Sequence, residues 1–482
     1  MNTFSIFNDM NIYQVHISNS LKHFSRIKNL YGLSDYLSND EPLLVFGMYD
    51  SKDYRIIKHH KSHVYILWGG SDFDPRIKKS VSYIDKITKL CSKNIYHIAL
   101  SKNMAERMDK LCIPYTLIDF TLVDPGIFKP VENNDRYDIY IYNGFTEGKE
   151  WIYGEKYYKK VIKKLPEFNF VLSSDINVPY QDMPSIYSKC IVGIRLTKYD
   201  GNANTVQELG LMNIPVIYND PDNEKCIKWG KPADIIHNIL CLNIKQFIGK
   251  LEKYSNILLI CQSGNPYDMY RMQILYDWMG NNEYSAKYYT NYSEGAESSI
   301  SYDEYNMIVN NGSNILTIYF GIPQQVPIHN HAKILIDDDN NISSDVYNIF
   351  DSIYSSNPNN IKKSGYKVCP LHCAHFMTYG TLPQICDHKK IKYIILCFDF
   401  SPVSGHLKHH IINNSSNNLL LFGNSVDKYK NYGNKIVNSM DYNKLVQYIS
   451  VSKYFLSDNI NIINMFRTIC VVYGCKIKYF KR

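Results

Sequence analysis

Several things are scarce in this chain, and each scarcity narrows the reading. Tryptophan occurs 4 times in 482 residues, and alanine is thin as well. No apolar run approaches the roughly 18 residues of a spanning helix. The stretches Tyr393–Phe398 and Ile257–Cys261 are short and strand-like. Met1-Asn2-Thr3-Phe4 opens no charged segment leading into an apolar one, so the expected compartment is the cytoplasm, with no transmembrane segment. A strong basic stripe is missing too. Lys and Arg number 53 against 46 acidic residues, a net charge of +7. The basic clusters are short: Lys58 to Lys61, then Lys159, Lys160, Lys163 and Lys164 at the spacing of a solvated helix face. Nucleic acid is therefore not an expected partner. No serine or cysteine nucleophile motif stands out, and Gly264 alone is too little for a phosphate loop. The chain has 12 cysteines, those of the first 260 residues scattered singly, and they read as reduced and mostly buried.

What is present is an ordinary globular composition, 45% hydrophobic and 21% charged, which excludes disorder, collagen and a heptad rod. Tyrosine is abundant at 42 residues. With the plentiful Asn, Ile and Lys, it reads first as a bias toward A/T-rich codons. A tyrosine-rich binding surface is the sharper alternative. At about 150 residues per domain the length suggests about three units.

Along the chain, strands alternate with helical patterns, as in βα units of a parallel sheet. Residues 1–42 are polar and weakly patterned, and are expected to form an N-terminal cap. Strands follow at Leu43–Tyr49, His63–Trp68, Tyr96–Leu100 and Tyr115–Asp119, giving a Rossmann-like unit over 43–130. After Val123-Asp124-Pro125-Gly126 and a polar linker, a second unit spans 131–254. Its strands are Tyr137–Tyr142, Phe168–Leu172, Ile191–Leu196 and Ile214–Tyr218, and a helix over Asn202–Met212 precedes the last. A third α/β unit of unknown role covers 255–482. It begins with a strand at Ile257–Cys261 and a helix over Met269–Met279, reads as irregular over about 281–365, and recovers the pattern near its end. No short-period repeat is evident, and a kinship of the third unit to the first two rests on topology alone.

The stretch Arg195 to Ile217 is the most informative. It reads as a strand, an Asp200-Gly201 turn and a helix, placing the backbone amides of Asn202, Ala203 and Asn204 at a helix N-terminus. Such an end binds phosphate through free N–H groups and the positive end of the helix dipole. Gly201 permits close approach of a ligand to the backbone. Asp200 and Glu208 lie two helical turns apart, so a diphosphate at the helix end leaves one carboxylate on each side.

These residues resemble the carboxy-terminal domain of retaining, GT-B-fold glycosyltransferases of family 4: an acid, a glycine, a second Glu eight residues after the acid, and a Pro-Val-Ile strand. Here they stand as Asp200-Gly201, Glu208-Leu209-Gly210 and Ile214-Pro215-Val216-Ile217. The family usually has Glu where this chain has Asp200. The likeness covers about residues 43–250. It implies two Rossmann-like domains in GT-B arrangement, followed by the extra C-terminal α/β domain. It also implies transfer of a sugar from a nucleotide-diphosphate sugar to a glycan, glycoprotein or glycolipid acceptor, with retention and without a metal. Glu208 is then implied to hold the donor's ribose, Asp200 to contact the transferred sugar, and Gly201, Asn202, Ala203 and Asn204 to hold the diphosphate. Lys149 falls where the family places a phosphate-binding lysine, whereas Phe145 occupies the place of a frequent arginine. Arg195 can supply the missing charge. Trp68-Gly69-Gly70-Ser71-Asp72 resembles the family's glycine-rich cleft loop.

Plainer readings stand beside these. Asp200-Gly201 can be a simple turn, Glu208 a solvated helix residue, Lys149 a surface lysine and Asp72 a helix cap. The alternative function is a non-catalytic carbohydrate- or partner-binding protein on a degenerate transferase fold. A third possibility gives residues 256–482 an activity of their own. Cys369, Cys373, Cys386 and His388 offer an irregularly spaced set for a structural zinc. His329, His331 and Asp337 to Asp339 offer a weaker cation set.

Overall fold

The computed structural model is described here for residues 10–69, 72–73, 89–90, 94–118, 121–131, 136–144, 148, 150–197, 203–219, 226–262, 266–290, 299–321, 323, 331–336, 349–355 and 367–368, and beyond 392 for five strands and positions 449, 470 and 475. The described strands form four sheets, and all their pairings are parallel.

The first unit contains β1 (Gln14–Ile17), α1 (Ile27–Tyr31), β2 (Ser34–Asp35), β3 (Leu43–Phe46), α2 (Ser51–His59), β4 (Val64–Leu67), β5 (Ile95–Ala99), α3 (Lys102–Lys110) and β6 (Tyr115–Leu117). The strand order is β2-β1-β3-β4-β5-β6. The expected cap over residues 1–42 is thus corrected: that segment supplies β1 and β2 to the sheet. Polar residues hide β1 from a pattern search, because partners satisfy them inside the fold. Gln14 is 2% exposed. Its amide donates to the Ser38 and Glu41 carbonyls and accepts from the amides of Leu37 and Ser38. His16 meets the buried Asp53 carboxylate at 2.8 Å, and Ser18 donates to the same group at 2.7 Å. Asp53 in turn closes the capping box of α2 with Asp50.

The second unit contains β7 (Asp138–Ile141), α4 (Glu155–Lys164), β8 (Asn169–Leu172), α5 (Met183–Tyr187), β9 (Cys190–Arg195), α6 (Asn204–Leu211), β10 (Val216–Tyr218), β11 (Cys226–Ile227) and α7 (Pro232–Leu251). The order is β11-β10-β9-β7-β8. Strands β7 and β9 are buried along their whole length, as parallel strands covered on both faces must be. The long helix α7 serves two cores. Its Ile235, Ile236 and Ile239 pack with β7 and β9, while Ile244, Phe247 and Leu251 pack with the sheet that follows.

The third unit corrects the expectation of irregular structure over 281–365. It runs β12 (Asn256–Cys261), α8 (Pro266–Asn281), β13 (Ala286–Thr290), α9 (Tyr302–Asn311), β14 (Ile315–Phe320), β15 (Ala332–Ile336), β16 (Ser352–Ser355) and β17 (Lys367–Val368). Tyrosines that look polar in sequence are core here: Tyr289 stacks on Tyr305 with ring centres 4.9 Å apart, and Tyr319 is 1% exposed. The order β13-β12-β14-β15-β16-β17 repeats that of the first sheet. A fourth sheet, β20-β19-β18-β21-β22, is made of β18 (Tyr393–Cys397), β19 (Leu419–Phe422), β20 (Lys435–Val437), β21 (Ser452–Ser457) and β22 (Lys476–Tyr479). The single C-terminal domain expected over 255–482 therefore contains two sheets. No disulfide joins the described cysteines, and no described helix is long and apolar enough to cross a membrane.

One buried histidine makes the first unit's stability depend on pH. His97 in β5 is 2% exposed and lies flat on Trp68, with ring centres 5.8 Å apart. Its Nδ1 accepts from Trp68 Nε1 at 3.2 Å, and burial pushes its pKa down to about 4. The unfolded chain, with an ordinary imidazole near 6.5, binds the proton more readily. The folded state's advantage is therefore complete above about pH 6.5 and is lost as pH falls toward 4, by on the order of 3 kcal/mol. Urea unfolding across pH 4 to 7 should show this slope, and His97→Gln should flatten it.

Candidate functional site

In the second sheet the chain lays down β7, adds β8 on one side and returns to add β9 on the other. Ligands of open α/β sheets bind at such a reversal, outside the carboxyl ends of the strands. Four strand ends are braced in pairs there, β7 with β8 and β9 with β10. The side chain of Asn143, after β7, accepts from Ser173 Oγ at 2.8 Å and from the Ser174 amide at 2.9 Å, both after β8. Asn219, after β10, donates to the Thr197 carbonyl at 2.8 Å.

Arg195 is the last residue of β9 and is 8% exposed. Its guanidinium lies 4.0 Å from the centre of the Tyr142 ring, and its Nη1 donates to Thr205 Oγ1 at 3.2 Å. Tyr142 is held on another side by Tyr153, edge to face at 5.2 Å. Tyr153 reaches that position because residue 144 is glycine. Gly144 has φ +82°, and a Cβ there would stand 2.1 Å from the Tyr153 ring.

Helix α6 begins beside Arg195. Its N-cap is Ala203, which has no side chain to satisfy the first amides. Thr197, in the loop leading to α6, is 4% exposed, and its hydroxyl has no hydrogen-bond partner among the described residues. The same holds for the buried Oδ1 of Asn204. A helix start with no side-chain cap from Ala203, a neighbouring guanidinium and two polar side chains unsatisfied among the described residues suit an anion with acceptor and donor oxygens. The close packing of α6 on the sheet depends on Gly193, whose Cβ would meet Leu209 Cδ1 at 2.2 Å.

Glu208, one turn into α6, is not a solvated helix residue. It is 6% exposed, and its Oε2 accepts from Tyr187 Oη at 2.8 Å. The Tyr180 hydroxyl also faces it. Burial raises its pKa. Tyr187, then Arg26 and Arg195, then Tyr180 work against that rise. The carboxylate expected to face a ribose is thus enclosed by tyrosines. The contributions of Arg26, Tyr180 and Tyr187 carry no motif in the sequence. Arg26 comes from a segment that reads as a cap, and the tyrosines are lost among 42.

Asp72 is fully buried. Its Oδ2 accepts from the amides of Met48 and Gly69, so it staples together the ends of β3 and β4 instead of presenting its carboxylate to a cleft. Gly69 packs beside Tyr49, where a Cβ would lie 2.9 Å from the hydroxyl. Asp200, Gly201, Asn202, Lys149 and Gly70 lie outside the described residues, as do Cys369, Cys373, Cys386, His388, His329 and Asp337 to Asp339. Among the described residues no three His, Cys, Asp or Glu gather as a metal would require.

Two glycines of similar backbone test the support under Tyr142. Gly144→Ala must displace Tyr153 and should cost about 1–3 kcal/mol in denaturant unfolding. Gly148 has φ +76° but open space around its Cβ position, so Gly148→Ala should cost only about 1 kcal/mol of backbone strain.

No family model, curated protein or solved structure matches the chain.

Proposed function

We propose that the chain is a nucleotide-sugar-dependent glycosyltransferase whose donor diphosphate sits at the start of α6. The observation that carries this reading is the N-terminus of α6 at the β7/β9 reversal, which Ala203 leaves without a side-chain cap, with Arg195 and the Thr197 hydroxyl, unpartnered among the described residues, beside it. A leaving nucleoside diphosphate gains negative charge as the glycosidic bond breaks. Fixed amide dipoles and a guanidinium stabilise that charge more than they stabilise the bound donor. Lys149 adds a second cation in this reading, and Asp200 contacts the transferred sugar. Both roles, and retention of configuration, rest on the resemblance of Asp200 to Ile217 to family 4. The first unit supplies the acceptor side, and a glycan, glycoprotein or glycolipid is the acceptor class.

A second reading is favoured by one observation. The Glu208 carboxylate is already bonded by Tyr187 and enclosed, so a ribose diol reaches it only if that bond opens. A non-catalytic sugar-phosphate- or partner-binding protein has no need of that opening.

Calorimetry with UDP, GDP and their sugars, together with slow donor hydrolysis, separates these readings. The enzyme reading expects binding and slow hydrolysis of at least one donor. Arg195→Gln should weaken nucleotide binding by about tenfold or more, the worth of one charge-assisted hydrogen bond. Glu208→Gln should leave the fold intact at neutral pH. Burial raises the carboxyl's pKa, so its charged form weighs on stability increasingly as pH rises through and above the ordinary carboxyl range, and a neutral amide removes that weight. Hydrolysis lost in Asp200→Asn with affinity retained supports catalysis. Binding without any turnover supports the second reading, and no binding by the folded protein defeats the enzyme reading.

A further inference from the structure

Helix α4 is bedded in the second unit on one side only. Its Tyr158 and Val161 are buried, as is Leu165, which ends it. The opposite side carries Lys156, Lys160 and Lys163, which fall within about 60° of one another along roughly 10 Å of helix. All three are exposed. Lys159 beside them pairs with Glu155, whereas Lys156, Lys160 and Lys163 carry no ion pair among the described residues. The turn that leads into α4 adds an aromatic end to this face. Trp151 is 72% exposed, although the chain has only 4 tryptophans. The turn that carries it is clamped to the sheet. Tyr153 packs on Tyr142 at 5.2 Å, and Gly154 fits against Leu196, whose Cβ would stand 2.6 Å from a Cβ at that glycine. Tyr157, in the first turn of α4, is partly exposed and meets the Trp229 ring edge to face at 5.1 Å. Lys228, next to Trp229 in sequence, is exposed as well.

We propose that the outer face of α4, with Trp151 at its entrance, docks the protein on an anionic lipid surface. A cluster of lysines on one helix face is drawn to the headgroup phosphates and carboxylates of an anionic leaflet. An indole settles at headgroup level, where its ring is shielded and its N–H stays wet. A solvated lysine face has no need of a tryptophan held out into water beside it. The shape of the face selects the partner. A helix bedded in its unit presents a plane, which suits a membrane, whereas the groove of a nucleic acid admits a projecting helix. Such docking is electrostatic, weakens with salt and asks for no spanning helix. It does not depend on the anion site at α6.

Co-sedimentation of the full chain with vesicles at physiological ionic strength tests the proposal. Equimolar phosphatidylcholine and phosphatidylserine should carry the protein down, phosphatidylcholine alone should not, and added salt should release it. Lys156→Gln, Lys160→Gln and Lys163→Gln together should weaken binding by about a hundredfold, the worth of three lysines close to an anionic leaflet. Lys52→Gln, Lys58→Gln and Lys61→Gln remove the same charge from exposed positions of the first unit. Charges held away from the membrane are screened, so this second triple variant should stay within about twofold of the wild type. Tryptophan emission should shift to the blue on binding, and Trp151→Ser should remove most of that shift and weaken binding. All of these positions are exposed, so the variants should keep the wild-type melting temperature. Equal binding to neutral vesicles, equal losses in the two triple variants, or no vesicle binding by the folded protein overturns the proposal. Binding of duplex DNA or RNA through the same lysines, with no binding of vesicles, overturns it in favour of a nucleic-acid partner.

Discussion

The enclosure of the Glu208 carboxylate is the constraint on which the architecture around the site depends. A charge this deeply buried is costly unless hydrogen bonds and opposite charges surround it. Here Tyr187 supplies the bond, and the positive charges of Arg26 and Arg195 act against the rise in its pKa that burial causes. Each of these groups is fixed by something else. Arg195 is held by Thr205 and Tyr142, Tyr142 by Tyr153, and Tyr153 by the absence of a side chain at Gly144. Arg26 is held by the Leu122 carbonyl. The contact with the first unit is made by the neighbouring Gln207, which accepts from Thr121 Oγ1 and the Leu122 amide.

The parallel sheets were legible because their strands are continuous apolar runs with helices between them. Leu43–Phe46, Cys190–Arg195 and Asn256–Cys261 lie within or close to the expected runs. The strand and the helix that carry Arg195 and Glu208 were legible for the same reason. What escaped was apolar structure written in polar letters. Strand β1 is held by Gln14 and His16, whose partners come from residues 20 to 40 positions away, and no local pattern reports them. The third unit was obscured by tyrosines that behave as core aromatics, with Tyr289, Tyr305 and Tyr319 packed inside. Arg26 was invisible because its contacts, the Leu122 carbonyl and the Tyr180 ring, come from residues far along the chain.

The site residues divide in the same way. Arg195 could be picked out as a cation at the end of a strand, and the structure places it at the β7/β9 reversal. Asp72 matched a loop pattern, yet its carboxylate is spent on the amides of Met48 and Gly69. The role the fold shows for Asp72, joining the ends of β3 and β4, is neither the cleft contact nor the helix cap expected from the sequence. The third sheet's repetition of the first sheet's strand order gives residues 256–368 a reversal of their own between β12 and β14, which makes the chain's second half more than an appendage.

The most direct test of the account is a crystal structure of the full chain with a bound nucleoside diphosphate. The account predicts the diphosphate at the amides that open α6, within hydrogen-bond reach of Arg195. A nucleotide bound elsewhere, or a diphosphate at that helix with Arg195 turned away from it, would contradict it.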